Sequence, residues 1–109
     1  MSQSKVKKYL PNCLLTNARS IISKTDEFGC ILQSNNIHYA CVTESWLNND
    51  IITDAIDIPG YVTYRRDRQD GRRGGGIVCY VRNNVPCKRI TELERPDVES
   101  MWLLYRNVY

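Results

Sequence analysis

The fold is decided by residues 37–43, IHYACVT, a run that is nearly all apolar and rich in strand-forming residues. Apolar and polar residues do not alternate in this run as they would in a strand with one solvent-exposed face. The run therefore predicts a strand that is covered on both faces. Upstream, Val6 to Thr16 contains the short apolar core CLL at residues 13–15. This core is too short for a helix and predicts a second buried strand.

A helix is predicted between these two strands, over residues 20–34. Ile21, Phe28 and Leu32 recur at helical spacing, and the charged residues fall mostly on the other side. Ser20 is a plausible N-cap, whereas Gly29 is unfavourable by about 1 kcal/mol relative to alanine inside a helix. The order strand, helix, strand indicates a βαβ-like unit. Such a unit favours two strands that are neighbours in the sheet, and parallel pairing is one of the arrangements open to them.

Several strands in succession are predicted downstream. Residues 48–60 form a loop with at most one helical turn, and the polar, glycine-rich segment 67–76 joins the two strands of a hairpin. The predicted strands are 61–66, 77–82, a weak one at 87–91 and a strong one at 98–105. The predicted fold is therefore an α+β or layered α/β arrangement, built round a mostly antiparallel sheet. It forms a single domain over residues 1–109.

Charge, cysteine content and targeting signals indicate where the protein is expected to act and which partners it is expected to have. The formal charge of +3 is too small to identify a nucleic-acid partner by itself. Five cysteines without a C-x-x-C pair are expected to be reduced, buried small hydrophobes of an intracellular protein, nuclear or cytoplasmic. No signal peptide, membrane span or glycosylation sequon is recognised, so we expect neither secretion nor a membrane partner. The single histidine, His38, is expected to be structural.

Two polar side chains end the first two predicted strands. Asn17 and Glu44 each follow an apolar run, and both would emerge at one edge of the sheet if the strands are neighbours. A carboxylate there is a natural ligand for a hard cation such as magnesium, and an amide can position a phosphate oxygen or a water. The alternative is ordinary: strands often end in polar residues because the following loop is wet.

An arginine-rich stretch runs from Tyr64 to Gly76 and is predicted to form the hairpin tip. Arginine suits phosphate groups, and glycine lets backbone approach a ligand closely. The glycine spacing matches neither a Walker loop nor a dinucleotide fingerprint. Contact with nucleic acid and a solvated tip held by local Arg–Asp pairs remain open alternatives. The candidate phosphate-binding residues are Arg65, Arg68, Arg72 and Arg73.

Two tryptophans are expected to be mainly buried. Trp46 follows Glu44 and could cap the sheet edge or stack on a base, with burial the favoured role. Trp102 lies within the strong C-terminal strand and is expected in the core.

Six segments in order resemble the endonuclease domain of non-LTR retrotransposons, within the endonuclease/exonuclease/phosphatase superfamily. Residues 16–24, TNARSIISK, are similar to the opening N-x-R-S-[LI]-x-x-K, and residues 42–47, VTESWL, to the segment [TQ]-E-[ST]-W-L. PGY at 59–61, RRDR at 65–68 and GGGI at 74–77 follow in the expected order. Residues 98–103, VESMWL, resemble the strand E-S-[LM]-W-L. The match is strongest over residues 14–102.

The resemblance implies a four-layered α/β sandwich and metal-dependent cleavage of a phosphodiester in DNA. It implies that Glu44 binds the divalent ion, Mg²⁺ or Mn²⁺, and that Asn17 orients a catalytic carboxylate or the phosphate. The family's later Asp–Asn and closing Asp–His motifs have no match in this sequence. We therefore expect a partial sandwich, the N-terminal fragment of a retrotransposon endonuclease, inactive alone and completed by other parts of a retrotransposon polyprotein.

Two alternatives remain. One is a non-catalytic fragment that binds nucleic acid through the arginine-rich hairpin, and the other is a phosphatase of the same superfamily. In either case, half of a sandwich would leave apolar surface exposed, from residues 37–42 and 98–105. We expect the isolated chain to aggregate for this reason.

Overall fold

The computed structural model describes residues 11–105 of the chain. The elements follow in the order β1 (Cys13–Asn17), α1 (Thr25–Ser34), β2 (Tyr39–Thr43), β3 (Tyr61–Arg66), β4 (Ile77–Arg82), β5 (Cys87–Arg89) and β6 (Leu103–Tyr105). Short 3₁₀ turns occur at Thr53–Ile56 and Thr91–Leu93. In this part of the chain, no helix is long and apolar enough to cross a membrane.

The strands form two separate sheets. The larger has the order β1-β2-β4-β3, in which β1 and β2 are parallel and the other neighbours are antiparallel. Strands β5 and β6 form an antiparallel pair of their own. The predicted mixed α and β class, the mostly antiparallel sheet and the neighbouring β1–β2 pair are confirmed. The described residues make one helix and these two sheets, and they do not make a four-layered sandwich.

The hydrophobic core lies between α1 and one face of the larger sheet. Phe28 and Leu32 of the helix pack in one buried cluster with Val42, Val78 and Tyr80 of the central strands. Burying side chains of this size stabilises a fold by about 1.5–3 kcal/mol each. The core therefore fixes β2 and β4 at the centre of the sheet.

The helix begins later than the sequence predicts. It starts at Thr25, and Lys24 occupies the N-cap position without a side-chain hydrogen bond. Ser20 is not the N-cap, because it lies five residues before the first helical residue. The prediction of a helix over residues 20–34 was therefore wrong at its N-terminal end. Gly29 is buried against Ile58, where a Cβ would lie 3.4 Å from that side chain, so the helix packs closely onto the 48–60 loop.

The second face of the larger sheet is covered in part by the β5–β6 pair. The rings of Tyr39 and Tyr105 lie 4.5 Å apart across this contact, and Arg89 donates to the carbonyl oxygen of Arg65. Strand β2 alternates between fully buried and half-buried residues. The prediction that β2 is covered on both faces therefore holds for the face under α1 and only in part for this second face.

Several other predictions need correction. Strand β6 has three residues, so the predicted strand 98–105 is mostly irregular, and Trp102 is 50% exposed instead of lying in the core. Cys13 and Cys30 are exposed, Cys79 is buried, and the other cysteines are intermediate. The strand predicted around the CLL core at 13–15 is observed as Cys13–Asn17, but the prediction that it is buried is wrong, because its residues alternate between exposed and half-buried. Residues 6–10 lie outside the described part of the chain.

Candidate functional site

The ends of β1 and β2 continue side by side beyond the sheet. The backbone N–H of Ser20 donates to the carbonyl oxygen of Glu44 at 2.9 Å, and that of Ile21 donates to Ser45 at 3.1 Å. These bonds join two turns that are distant in sequence. The parallel pairing of β1 with β2 therefore places the segments after both strands at one edge of the sheet.

Four residues of these turns have left-handed backbone conformations. The φ angles are 47° at Arg19, 84° at Ser20, 54° at Glu44 and 59° at Trp46. Such conformations are uncommon for residues with a side chain, and they cluster at functional sites, where the surrounding structure holds them in place. The turn that carries Glu44 is therefore a candidate site on backbone geometry alone.

Gly75 and Gly76 pack against this turn. Trp46 N–H donates to the carbonyl oxygen of Gly75 at 2.9 Å, and Ser45 N–H donates to that of Gly76 at 3.3 Å. A Cβ at Gly76 would lie 2.5 Å from Ser45 Oγ, so only glycine allows this approach. Ser45 is completely buried, and its hydroxyl has no hydrogen-bond partner among the described residues.

A pocket of about 580 Å³ opens beside this turn. Glu44 lines it, together with Arg68, Arg72 and Arg73 from the β3–β4 connection. The structure thus brings together four of the six residues that the sequence predicts for the site. The remaining lining residues are Ser20, Trp46, Leu47, Asn48, Gly71 and Gly74.

Trp46 is a pocket residue and not a core residue. Its side chain is 45% exposed, which corrects the expectation that it is buried. Its indole N–H donates to Glu44 Oε1 at 3.2 Å. This hydrogen bond fixes the carboxylate group in one orientation, as the outer partners of metal ligands commonly do.

Glu99 anchors the arginine-rich connection to the rest of the molecule. Its carboxylate accepts the Arg68 Nε–H at 3.1 Å through one oxygen and the Gly76 N–H through the other. Sequence reasoning did not single out Glu99 as a site residue. The resemblance could have identified it, since Glu99 is the glutamate of the matching VESMWL segment.

Arg72 and Arg73 lie at the exposed tip of the connection. Arg72 pairs with Asp70 at 2.6 Å, and hydrogen bonds from Arg72 hold the pKa of the Asp70 carboxyl below its usual value. This is a local Arg–Asp pair of the kind that the sequence left open. The Arg73 side chain forms no hydrogen bond or ion pair with the residues from 11 to 105, so its guanidinium group is available to a ligand.

Arg65 and Asn17 lie outside the pocket. Arg65 donates to both carboxylate oxygens of Asp67 and to the carbonyl oxygens of Ile51 and Asn48, so it ties the 48–60 loop to β3. Asn17 ends β1 at the same sheet edge as Glu44, but it borders a separate shallow pocket beside α1. These placements do not bring Arg65 or Asn17 to the arginine pocket.

The residues present fit a divalent ion as a partial ligand set. Glu44 is the single carboxylate among the residues that line the pocket. Across residues 11–105, no group of three or more His, Cys, Asp or Glu side chains is arranged to hold a metal ion. Magnesium keeps several waters and is often held by one or two carboxylates together with substrate phosphates. Glu44 can therefore serve as one ligand, and the other ligands would be water and phosphate oxygens.

A scan against models of known protein families finds no match for this chain, and a search of curated proteins finds none either.

Proposed function

We propose that this chain is the N-terminal part of a metal-dependent DNA endonuclease domain of the retrotransposon type. The observation that carries the proposal is that one pocket is lined by Glu44 together with Arg68, Arg72 and Arg73. A phosphodiester is an anion whose charge must be neutralised when it is attacked, and both a carboxylate-bound cation and guanidinium groups supply that charge. The sequence resemblance points to the same chemistry.

In this proposal, Trp46 and the charged residues of the pocket have distinct roles. Glu44 provides one ligand to Mg²⁺ or Mn²⁺, and the Trp46 indole keeps its carboxylate in place. Arg73 and Arg72 bind phosphate oxygens. Arg68, held by Glu99, donates to the carbonyl oxygen of Arg73 and so supports the segment before Gly74. The ion, when bound, supplies Lewis-acid stabilisation of the phosphate.

The site is incomplete within the described residues, because no second carboxylate and no histidine line the pocket. We propose that the general base and further metal ligands come from chain outside these residues, in a larger polyprotein. The same additional chain would complete the four-layered sandwich. An endonuclease of this kind acts on DNA inside the cell, which is why we propose a nuclear or cytoplasmic location.

Plasmid nicking in the presence of magnesium tests the proposal. We expect the 109-residue chain to nick plasmid at background level, and a version extended by its downstream reading frame to nick efficiently. Glu44→Gln in the extended version should lower nicking by several orders of magnitude, since it removes charge from the metal ligand while keeping the side-chain shape. Glu92→Gln is the matched control, because Glu92 is exposed and lies outside the pocket.

The outcome that overturns the proposal is unchanged nicking by the Glu44→Gln protein. Nicking by the 109-residue chain, if Glu44→Gln abolished it, would keep the assignment of Glu44 but overturn the claim that the site is incomplete.

A second candidate function, binding of nucleic acid without cleavage, rests on the exposed Arg72 and Arg73. Binding through phosphates weakens with salt, and each contact contributes about 0.9 to the logarithmic slope on duplex DNA. On this account, Arg73→Gln lowers that slope by about 0.9, while Glu44→Gln and magnesium leave binding unchanged. Fluorescence anisotropy of a labelled duplex over a salt series separates the two functions.

A further inference from the structure

Two thiols face each other across the centre of the larger sheet. Cys41 of β2 and Cys79 of β4 are paired in the antiparallel register, and their Sγ atoms lie 3.6 Å apart. No other pair of thiols in residues 11–105 makes such a contact. The site described above uses neither residue.

The two thiols lie close to the geometry that a disulfide bond requires. Directly opposite residues of an antiparallel pair have Cβ atoms about 4.5–5.5 Å apart. A disulfide requires a Cβ separation of about 3.5–4.5 Å and a bond between sulfurs of about 2.05 Å. The two sulfurs therefore need to approach by about 1.5 Å, which small side-chain rotations and slight strand adjustment supply.

The two thiols are inequivalent. Cys79 is buried, with 4% of its surface exposed, whereas Cys41 is half-buried. Cys79 donates its S–H to Cys41, and this hydrogen bond lowers the pKa of the Cys41 thiol and raises that of Cys79. The thiolate is the nucleophilic form of cysteine, so Cys41 is the reactive member of the pair. Cys79 is the resolving thiol, the one that closes the disulfide.

We propose that Cys41 and Cys79 form an oxidation site, in which a peroxide converts the facing thiols into a cross-strand disulfide. The Cys41 thiolate attacks one peroxide oxygen, the O–O bond breaks, and the leaving hydroxide takes up a proton to become water. Cys41 is then a sulfenic acid.

The second step closes the bond. Cys79 gives its proton to the sulfenic-acid oxygen on Cys41, the group that its S–H faces, and its sulfur attacks the Cys41 sulfur. The S–O bond breaks and the second oxygen leaves as water. Two electrons pass from the two thiols to one hydrogen peroxide, which yields one disulfide and two waters. The disulfide joins the strand that leads into Glu44 to the strand that follows Gly76.

Mass spectrometry of the full chain tests this site. The protein is treated with hydrogen peroxide, remaining thiols are alkylated, and the chain is digested with chymotrypsin without reduction. Cleavage after aromatic residues separates Cys41 (40–46) from Cys79 (65–80) and from Cys30. We expect peptides 40–46 and 65–80 to be joined, with the mass of two hydrogen atoms lost, and dithiothreitol to release them.

Variants distinguish the two roles. With dimedone present, Cys79→Ser should accumulate a sulfenic-acid adduct at Cys41, whereas Cys41→Ser should show no adduct at Cys79. Cys30→Ser is the control, because this exposed helix cysteine should leave the cross-link unchanged. Wild-type mapping needs no variant to fold. Exclusive oxidation at Cys13 or Cys30, or a cross-link between any other two cysteines, would overturn the proposal.

Discussion

At the scale of single residues, the turn that carries Glu44 combines two unfavourable features. Glu44 itself has a left-handed φ of 54°, and the next residue, Ser45, buries a hydroxyl without a partner among the described residues. A strained backbone conformation costs about 1–3 kcal/mol, and an unsatisfied buried hydroxyl costs a similar amount, about 1–3 kcal/mol. Stability is therefore lost at the residue that the proposed function needs.

Ser45→Ala should leave the free energy of unfolding unchanged or raise it, because the hydroxyl it removes makes no hydrogen bond in this part of the chain. Tyr80→Phe is the comparison. Its hydroxyl is also buried, but it donates to the carbonyl oxygen of Ile56 at 2.7 Å. Removing that bond leaves the carbonyl unpaired and should lower the free energy of unfolding by about 1–3 kcal/mol.

Urea denaturation followed by tryptophan fluorescence measures both variants. A loss of stability in Ser45→Ala as large as that in Tyr80→Phe would mean that the Ser45 hydroxyl does have a partner, and the assignment of strain to this turn would fail.

Residue types were predictable from the sequence, but their partners were not. Glu44 stands out because it directly follows an apolar strand, and that pattern is local. Arg65 and Arg73 look equivalent in an arginine-rich run. The fold distinguishes them, since Arg65 binds Asp67 and loop carbonyls, whereas Arg73 remains exposed in the pocket. Such partners depend on which distant segments the fold brings near, and spacing along the chain does not encode them.

At the scale of elements, the β5–β6 pair is held by a partly buried ion pair. Arg89 donates two hydrogen bonds to Glu94, whose side chain is 7% exposed, and Glu94 also accepts the backbone N–H of Trp102. The hydrogen bond from Arg89 is the largest cause of a lowered pKa at Glu94. Folding thus favours the charged carboxylate.

The stability contributed by Glu94 should therefore depend on pH. It should be fully present above the ordinary glutamate pKa of 4.5 and be lost as the pH falls below that value through the lowered pKa. Hydrogen bonds to charged groups contribute about 1.5–3 kcal/mol, and we expect a loss of that order.

Denaturation midpoints from pH 7 to pH 3 measure this dependence. In Glu94→Gln, the denaturation midpoint should fall less between pH 4.5 and pH 3 than in the wild type; this fall is the acidic limb of the curve. Glu92→Gln, at an exposed position nearby, should retain the wild-type acidic limb. An acidic limb that is identical in all three proteins would contradict the role given to the Arg89–Glu94 pair.

Elements with local signals were predicted well, and those fixed by distant contacts were not. Strands β3 and β4 have the predicted bounds, because strand-forming residues on both sides of a polar, glycine-rich connection define them locally. Helix α1 begins late because backbone bonds from Ser20 and Ile21 to the turn after β2 hold residues 20 and 21 out of the helix. Strand β6 is short because the segment before it is engaged by Arg66 and Glu94 through side-chain bonds to its backbone.

At the scale of the whole molecule, one face of the larger sheet is only partly covered. Residues 37–42 are not the exposed surface that the sequence predicts, since Ile37, Ala40 and Val42 are buried under α1. The prediction for residues 98–105 is confirmed, since Val98, Trp102, Leu104 and Tyr105 are exposed, and further exposed apolar residues lie on the outer strands β1 and β3. The exposed apolar residues include Leu15 at 76%, Val62 at 43% and Leu104 at 60%. Scattered exposed residues are ordinary, but several on one side favour association.

We expect the isolated chain to self-associate with rising concentration through this side of the sheet. Leu104→Lys places a charge on the exposed part of β6 and should shift the chain towards monomer. Ile52→Lys, at an equally exposed loop position, should not. Sedimentation velocity over a concentration series measures the effect. A monomer at every concentration, with one sharp cooperative thermal transition, would contradict this prediction.

The central claim is that Glu44 is a divalent-metal ligand whose carboxylate is held by Trp46. The most direct measurement is a manganese titration followed by the two indole N–H signals in a ¹H–¹⁵N spectrum. Paramagnetic broadening falls steeply with distance, so bound Mn²⁺ should broaden the Trp46 signal, whose N–H lies 3.2 Å from Glu44 Oε1. The Trp102 signal is the internal control. We predict selective broadening of Trp46 that Glu44→Gln abolishes; equal broadening of both indoles, or broadening that persists in Glu44→Gln, would contradict the claim.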